Sequence, residues 1–473
     1  MTGLSYPIDQ DNSEGGGETD NPDGGQVNRV IRVVALAMGE GRLSPNERLP
    51  SIRAMALQHS VSRDTVQRAY DKLVAGGHIY ARRGAGFYVS APAASGVQES
   101  AAPTTRLEAF ELVYSDLPPD RMPGHGFLHH PAGSLDEVAR VLRSTASVGI
   151  RAGSHGDPAG YVPLREELRN KLRIEGVDVP LESVITVPSC IAGLTLVVRS
   201  FVRPHTTVLI ETPCSFAHTA VVLAQGAETY RVPREADGPD LDVLRLLCER
   251  YRPAMFLMSS LLQNPTGSSV SLPKARKIIE LAAEFDMILV DDASYADLLP
   301  VVPGRPVVPL IALDALERVI HVGGSSQVLG PAIGPGYIVA GERHMNMLGL
   351  FRLVQGLAGM LLQERVLYRF LHDGLYRRRC ERLRAHLAQR NAAVGHMLTA
   401  AGLARARVPG GLFLWTDLGA GVDANAVAAR MRAKGFLTAP GQHFVSRHAA
   451  SSHMRFNPTT TTALAVETLA ASL

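Results

Sequence analysis

The feature that most constrains this chain is the alternation of short apolar segments with amphipathic stretches from about residue 109 to the end. The apolar segments include VITV (184–187), TVLI (207–210), MILV (287–290) and VIHVG (319–323). Short apolar segments of this kind are typical of strands buried on both faces of a sheet. Their alternation with helical patterns predicts an α/β domain with a mostly parallel sheet. The segment GGLFLWTD (410–417) then predicts a strand of a smaller C-terminal α+β subdomain.

A chain of 473 residues is too long for one hydrophobic core, and its composition changes along its length. Residues 1–26 contain six acidic residues and no lysine or arginine, and we interpret them as a disordered acidic arm. Residues 27–90 contain ten lysines and arginines against four acidic residues. Residues 91–108 lack core-forming side chains and predict a linker, so the α/β domain occupies 109–473.

Several protein classes are disfavoured by the sequence. The N-terminus has neither a basic start nor an apolar core, and no apolar stretch is long enough to span a bilayer. The four cysteines are far apart and form no CxxC or Cys/His cluster, which argues against a metal site and a disulfide framework. We therefore expect a cytoplasmic protein with reduced thiols and no membrane partner.

The basic segment predicts a small DNA-binding module. A first helix is expected from about Gln26 to Gly39, because Val27, Val30, Ile31, Val34 and Met38 share one face. Ser51 and Ser62 are suitable caps for two further helices, and a pair of short strands around 82–86 forms a wing. A helix that presents Ser, Arg and Thr at its N-terminus suits the major groove of DNA. The basic charge alone also fits a solvated surface.

The motifs LPSxRxxA, VSRxTVxxAYxxL and GxGFxV in this segment resemble the winged helix-turn-helix of GntR-type regulators. The match is co-linear over about sixty residues. The resemblance implies double-stranded DNA as a partner, with Arg53, Ser62, Arg63 and Thr65 as the DNA-contacting positions.

The α/β segment resembles fold-type I aminotransferases, which use pyridoxal phosphate. GDPAGYVPLREEL (156–168) is similar to the start of their large domain, and QNPTG (263–267) to their NPTG turn. The resemblance implies that Asn264 reaches the ring oxygen of the cofactor, Asp292 its pyridinium nitrogen and Tyr295 its phenolic oxygen. It also implies that Arg455, in HMRFNP (453–458), binds the substrate carboxylate. A GntR module, a linker and this domain together resemble the MocR regulators.

The segment HVGGSSQVLGPAIGPGYIVA (321–340) departs from the aminotransferase pattern. Alignment on Leu329, Pro331, Gly336 and Tyr337 places Gln327 where the family has the lysine that forms the Schiff base. A carboxamide has no nucleophilic amine and forms no aldimine. The arginine that binds the cofactor phosphate falls on Gly334. The usual SGAQ loop is replaced by 188–191, and the stacking aromatic falls at 214–215, with Phe216 as a neighbouring alternative.

These departures predict a catalytically inactive domain that holds no covalent cofactor and binds pyridoxal phosphate only weakly, without a covalent bond. The leading hypothesis is a homodimeric DNA-binding regulator in which Asn264, Asp292, Tyr295, Gln327 and Arg455 line a pocket for a small anionic effector. In an alternative, another lysine forms the aldimine, and the protein is a pyridoxal-phosphate-dependent regulator or aminotransferase. In a third hypothesis the large domain is a dimerisation scaffold without an effector.

Overall fold

The computed structural model describes residues 22–39, 43, 47–75, 78–82, 86–89, 107–147, 157–300, 308–357, 360–405, 411–445 and 451–473. The chain divides into two compact units, Met1–Pro92 and Ala93–Leu473. Most of the predicted acidic arm, the wing tip at 83–85 and most of the predicted linker lie outside the described residues. Among the described residues, no helix is both long and apolar enough to span a membrane.

The described residues of the first unit form three helices followed by an antiparallel pair of strands. Its core contains Val30 and Val34 from the predicted face of the first helix, together with Val66, Tyr70 and Leu73 of the third. The predicted winged helix-turn-helix class is therefore confirmed. Its elements are α1 (Pro22–Gly39), α2 (Ile52–His59), α3 (Arg63–Ala75), β1 (Ile79–Arg82) and β2 (Gly86–Val89).

Two predicted boundaries differ from the structure. Helix α1 begins at Pro22 rather than near Gln26, so the predicted arm overlaps its first turn. Proline is well tolerated there because a first-turn residue needs no hydrogen-bonded N–H. The predicted linker overlaps helix α4, which spans Leu107–Tyr114. Ser51 caps α2 as predicted, since its hydroxyl accepts a hydrogen bond from the Ala54 amide at 3.2 Å.

The second unit is built on a mixed sheet in which most strands are parallel. The strands are β3 (Val184–Val187), β4 (Thr207–Thr212), β5 (Glu228–Glu235), β6 (Gly238–Pro239), β7 (Met255–Met258), β8 (Ile288–Asp292), β9 (Val319–Gly324) and β10 (Gly336–Val339). Their order in the sheet is β3-β10-β9-β8-β7-β4-β5-β6, where β10 and the terminal β6 run antiparallel to their neighbours. This confirms the predicted α/β class.

Helices cover both faces of this sheet, because alternate strand residues point to opposite sides. Leu209, Phe256 and Leu289 belong to one buried cluster, and Ile210, Leu257 and Val290 to another. The helices before and between the strands are α5 (Asp136–Ser147), α6 (Val162–Ile174), α7 (Cys190–Phe201), α8 (Phe216–Leu223), α9 (Leu241–Tyr251), α10 (Leu272–Glu284), α11 (Leu310–Asp314) and α12 (Ser326–Leu329). Short 3-10 helices span Pro119–Arg121, Leu181–Ser183, Ala296–Leu298 and Gly441–His443.

The C-terminal part forms the smaller α+β subdomain that the sequence predicts. Its strands are β11 (Ala404–Arg405), β12 (Leu414–Asp417), β13 (Ala439–Pro440) and β14 (His453–Phe456). They form an antiparallel sheet of order β11-β12-β14-β13 that packs against helices, with Phe456, Leu414, Val427 and Leu398 in its core. The helices after the large sheet are α13 (Glu342–Val354), α14 (Leu361–His372), α15 (Leu375–Ala400), α16 (Ala424–Ala433) and α17 (Ala463–Ala470).

A buried polar group fixes the segment that enters the large sheet. Arg352 is fully buried, and its guanidinium donates to the backbone oxygens of Pro158 and Thr186. Glu364 accepts hydrogen bonds from the Thr186 hydroxyl and from the Tyr161 amide. The buried ion pair of Arg352 with Glu364 is tolerated because hydrogen bonds satisfy the remaining polar atoms of both side chains.

Candidate functional site

Arg455 is the centre of the candidate pocket. It lies on β14 and is 1% exposed, and its guanidinium stacks between the rings of Phe413 and Phe444 at 4.3 and 4.9 Å. Its Nη1 donates to Asn264 Oδ1 at 2.9 Å, and its Nη2 donates to the Gly124 carbonyl at 2.6 Å. Burial lowers the pKa of Arg455 to about 10, so the side chain stays charged at neutral pH. Within the described parts of the chain, Arg455 pairs with no carboxylate.

Asn264 and Tyr295 come together beside this arginine. Asn264 lies in a turn closed by a hydrogen bond from the Gly267 amide to the Gln263 carbonyl at 2.6 Å. Its side chain also interacts with Tyr295, whose ring packs edge-on against Phe413 at 5.1 Å. Burial raises the pKa of Tyr295, so the phenol is neutral. The two side chains therefore add neutral hydrogen-bonding groups to a positively charged site.

Asp292 ends β8, and its carboxylate has protein partners on both oxygens. His218 Nε2 lies 2.7 Å from Oδ2, while the Ser294 amide and hydroxyl donate to Oδ1. Burial alone would raise the pKa of Asp292, but the hydrogen bond and charge of His218 outweigh burial and lower it. Burial would likewise lower the pKa of His218, but its contacts with Asp292 and Cys214 raise it to about 10. The two residues thus form a buried ion pair.

Gln327 lies in the short helix α12 and is buried. Its amide oxygen accepts a hydrogen bond from the Leu128 amide at 3.0 Å, so it binds the segment that precedes α5. The structure hydrogen-bonds Arg455 to Asn264, and Tyr295 packs against Phe413, whose ring also lies against Arg455. Asp292 is paired with His218, and Gln327 is hydrogen-bonded to Leu128 rather than to any of these residues.

The loop after α12 leaves no room for a side chain at Gly334. A Cβ atom there would lie 2.5 Å from the backbone N and Cα of Ser326 and 2.6 Å from the carbonyl carbon of Ser325. Contacts this short with backbone atoms require the backbone to move. An arginine at this position would therefore displace the start of α12.

The lysines of the second unit have partners of their own. Lys171 binds Asp297 and Glu175 at 2.9 and 2.8 Å. Burial alone would lower the pKa of Lys171, but the two carboxylates outweigh burial and raise this pKa well above its usual value. The remaining lysines pair as Lys274 with Glu235 and Asp237, Lys277 with Glu280, and Lys434 with Ser472. Each ammonium is thus used in a local contact.

The predicted DNA-contacting residues occupy two environments. Arg53 on α2 and Arg63 at the start of α3 are exposed, as is Ser62, whose hydroxyl accepts from the Thr65 amide at 3.0 Å. Thr65 is 0% exposed, and its hydroxyl lies 2.8 Å from that of Ser62. The side chain of Thr65 therefore faces the core and supports the cap of α3, which argues against a direct contact with DNA.

Four residues of this site were not predicted from the sequence, namely His218, Gly124, Phe413 and Phe444. For His218, the sequence offered one signal, which is the presence of a histidine in the mostly apolar helix α8. The other three lie in segments without a polar pattern, and only the folded chain brings them to Arg455.

Comparison with known families gives two matches. Residues 129–473 match the family of class I and II aminotransferases, and residues 29–89 match the gntR family of bacterial regulatory proteins. The chain is similar to the HTH-type transcriptional regulator YdcR of Escherichia coli (strain K12), with 25% identity over 89% of this chain and 92% of YdcR.

The similarity extends to a second regulator and to solved enzyme structures. The probable rhizopine catabolism regulatory protein MocR of Rhizobium meliloti is 27% identical, over 79% of this chain and 76% of MocR. The kynurenine aminotransferase of Pyrococcus horikoshii is similar in structure, with a TM-score of 0.68 and 22% identity. That match covers 74% of this chain and 90% of the enzyme. It shows the fold of the second unit.

The buried pair of His218 and Asp292 predicts a specific dependence of stability on pH. Because the pKa of His218 rises from 6.5 to about 10 on folding, its contribution is complete below pH 6.5 and is lost as the pH rises through about 10. The lowered pKa of Asp292 acts in the opposite direction, and its contribution is lost at acidic pH. We expect the stability difference between wild type and His218→Asn to be largest near pH 6 and to shrink towards pH 10.

Urea unfolding midpoints of the two proteins at pH 6, 8 and 9.5 measure this difference. The control is His396→Asn, which removes an exposed imidazole on α15 outside this pair. A constant difference for His218→Asn would show that the imidazole is not charged in the folded protein.

Proposed function

This chain belongs to the class I and II aminotransferase family and has a gntR-family module ahead of that domain, and we propose that it is a sequence-specific DNA-binding transcription regulator. In this proposal the second unit binds a small anionic ligand without a covalent bond and catalyses no transamination. It acts as a homodimer in the cytoplasm, and ligand binding changes the affinity for DNA.

The observation that supports ligand binding is the buried guanidinium of Arg455 without a carboxylate partner among the described residues. A buried charge is costly unless it is paired, and a carboxylate can form two parallel hydrogen bonds with a guanidinium. Asn264 and Tyr295 beside it supply neutral polar groups, and Phe413 and Phe444 exclude water. The ligand class that fits is a small carboxylate.

The residues present do not fit a covalently held pyridoxal phosphate. At the aligned lysine position, Gln327 has no amine and is hydrogen-bonded to Leu128. At the aligned phosphate position, Gly334 has no space for an arginine. Each lysine of the second unit is engaged elsewhere. These observations support a domain that has lost the chemistry of its family and has retained a pocket.

For DNA binding, the exposed Arg63 at the N-terminus of α3 is the proposed base-reading residue, and Arg53 and Ser62 are proposed phosphate contacts. A helix N-terminus favours phosphate, and an arginine can bind guanine through two hydrogen bonds. Thr65 has a supporting role in this proposal, because it holds the Ser62 cap.

We predict that Asn264→Asp weakens ligand binding. Aspartate is nearly isosteric and still accepts the hydrogen bond from Arg455, but it supplies the missing negative charge from within the protein. Affinity for a carboxylate should fall about tenfold or more, since hydrogen bonds to charged groups contribute about 1.5–3 kcal/mol. Calorimetric titration with acetate, succinate and L-glutamate measures this affinity. The control is Asn425→Asp, at an exposed position, which has the same charge change and should bind these ligands as wild type does. No saturable binding of any of the three would contradict the ligand-binding proposal.

The wild-type protein also tests the alternative in which another lysine forms the aldimine. Mixed with pyridoxal phosphate, it should show no aldimine absorption band, and borohydride reduction should give no specific lysine adduct. One modified lysine in the pocket would overturn the non-covalent proposal. A carboxylate that binds without changing DNA affinity would favour the scaffold hypothesis.

We predict that Arg63→Ala relaxes sequence preference. Loss of a bidentate contact with guanine should cost about 1–3 kcal/mol at one base pair. The control is Arg68→Ala on the same helix, which should retain the preference. The sequence preference of both variants is measured by binding to a duplex selected from a random library and to its single-base variants. Full sequence preference in Arg63→Ala would show that α3 is not the recognition helix.

Helix α13 supports the proposed homodimer. Met347, Leu350, Leu353 and Val354 are exposed on it, and Met347, Leu350 and Val354 lie on one face. An exposed apolar patch of this kind marks a protein–protein contact. The second copy would pair two DNA-binding modules and raise operator affinity through effective concentration.

We predict that Leu350→Asp, at a side chain that is 55% exposed, shifts the protein towards monomers. A charge at the centre of an apolar interface is desolvated without a partner, and dimer affinity should fall at least tenfold. Light scattering across a concentration series measures the change. The matched control is Ile174→Asp, because Ile174 is 87% exposed on α6. Unchanged dimerisation in Leu350→Asp would place the interface elsewhere.

A further inference from the structure

Helix α3 has a polar side that faces away from the core of the first unit. Arg63, Gln67 and Asp71 follow one another on this side at steps of four residues, and residues four apart on a helix are neighbours on its surface. Under the proposed function Arg63 reaches a base, so Gln67 is the next side chain along the same side. The opposite side is formed by the buried residues Thr65, Val66, Ala69, Tyr70 and Leu73.

The side chain of Gln67 is held in one orientation by Asp71. Gln67 Nε2 lies 2.8 Å from Asp71 Oδ1. Because a carboxylate accepts hydrogen bonds and donates none, the nitrogen of the Gln67 amide faces Asp71 and its oxygen faces elsewhere. This contact uses one N–H of Nε2. The second N–H and the amide oxygen have no partner among the described residues of the first unit.

An N–H beside a carbonyl oxygen is the pattern that complements adenine in the major groove. Adenine presents N7 as an acceptor and its N6 amino group as a donor, and one glutamine amide binds both. Guanine presents two acceptors, cytosine one donor, and thymine one acceptor and a methyl group. None of these three bases satisfies the N–H and the oxygen together, so the amide that Asp71 orients favours adenine.

Two other polar side chains in the first half of α3 are paired with each other. Arg68 Nε lies 3.0 Å from Asp64 Oδ2, and this ion pair gives the Asp64 carboxylate a cationic partner. Arg63 is exposed and has no side-chain hydrogen bond or ion pair with the residues that the structure describes. Arg63 and Gln67 therefore keep hydrogen-bonding groups available for bases.

We propose that Gln67 reads an adenine in the operator and that Asp71 is the positioning residue that orients its amide. The inference rests on the proposed DNA-binding function, in which Arg63 reads a guanine. Four residues of an α-helix rise about 6 Å, and successive base pairs of DNA are about 3.4 Å apart. We therefore expect the adenine about two base pairs from the guanine.

Selection of duplexes from a random library by the full-length chain, followed by binding to every single-base variant of the selected duplex, tests the base assignment. Wild type should prefer adenine at one base pair by about tenfold, which is the discrimination expected of a bidentate contact. Gln67→Ala should reduce this preference to about twofold or less and leave the preference for guanine unchanged. The matched control is Gln58→Ala, which removes an exposed glutamine from α2 and should keep both preferences.

Asp71→Asn tests the positioning role. An asparagine amide both donates and accepts, so Gln67 can turn either its nitrogen or its oxygen towards it, and the adenine preference should fall about threefold. Binding to all duplexes should at the same time become tighter, because the phosphates no longer repel a negative charge at this position. Asp71→Glu keeps an acceptor four residues after Gln67 and should retain the adenine preference. If Asp71 only stabilised α3, its loss would lower the free energy of unfolding and leave every base preference unchanged.

Each part of the proposal has its own refuting result. If wild type enriches no duplex, both sequence-specific DNA binding and the adenine assignment are refuted. If a duplex is enriched but Gln67→Ala retains every base preference, the adenine assignment is refuted and the DNA-binding proposal stands. If Gln67→Ala loses the adenine preference and Asp71→Asn retains it, the positioning role of Asp71 is refuted and the adenine assignment stands.

Discussion

The buried charge of Arg455 is the interaction on which the arrangement of the second unit depends. A guanidinium removed from water needs polar partners in fixed directions. Here those partners come from the turn at 263–267, from the Gly124 carbonyl and from the ring faces of Phe413 and Phe444. These groups belong to the turn after β7, to the C-terminal subdomain and to the segment that follows α4. Since none of them has a full negative charge, the two parts of the second unit meet around a cation that has no carboxylate partner among the described residues.

Local pattern was sufficient to predict the elements, because each buried face recurs with the period of its helix or strand. Val27, Val30, Ile31 and Val34 are buried on α1 as expected, and β3, β4, β8 and β9 fall on the predicted apolar segments. The ends were harder to predict. The first turn of α1 contains Gly24 and Gly25, which have low helix propensity, so no local pattern indicated a start at Pro22.

The site was predictable in residue type but not in pairing. Asp292 and Arg455 could be placed because the motifs around them resemble those of aminotransferases. The partner of Asp292 lies 74 residues earlier in the chain, and Gly124 lies 331 residues before Arg455. No local pattern encodes contacts across such separations. Thr65 shows the same limit at short range, because it is on the solvent-facing first turn by sequence and yet shares the buried face of Ala69.

The crowding at Gly334 limits what single substitutions can introduce into this loop. Under the proposed function, a lysine in place of Gln327 would supply an amine but no phosphate anchor. A larger side chain at 334 would push aside the backbone of Ser326, the residue next to Gln327. The second change therefore disturbs the helix on which the first depends, so the two positions cannot be altered independently of each other.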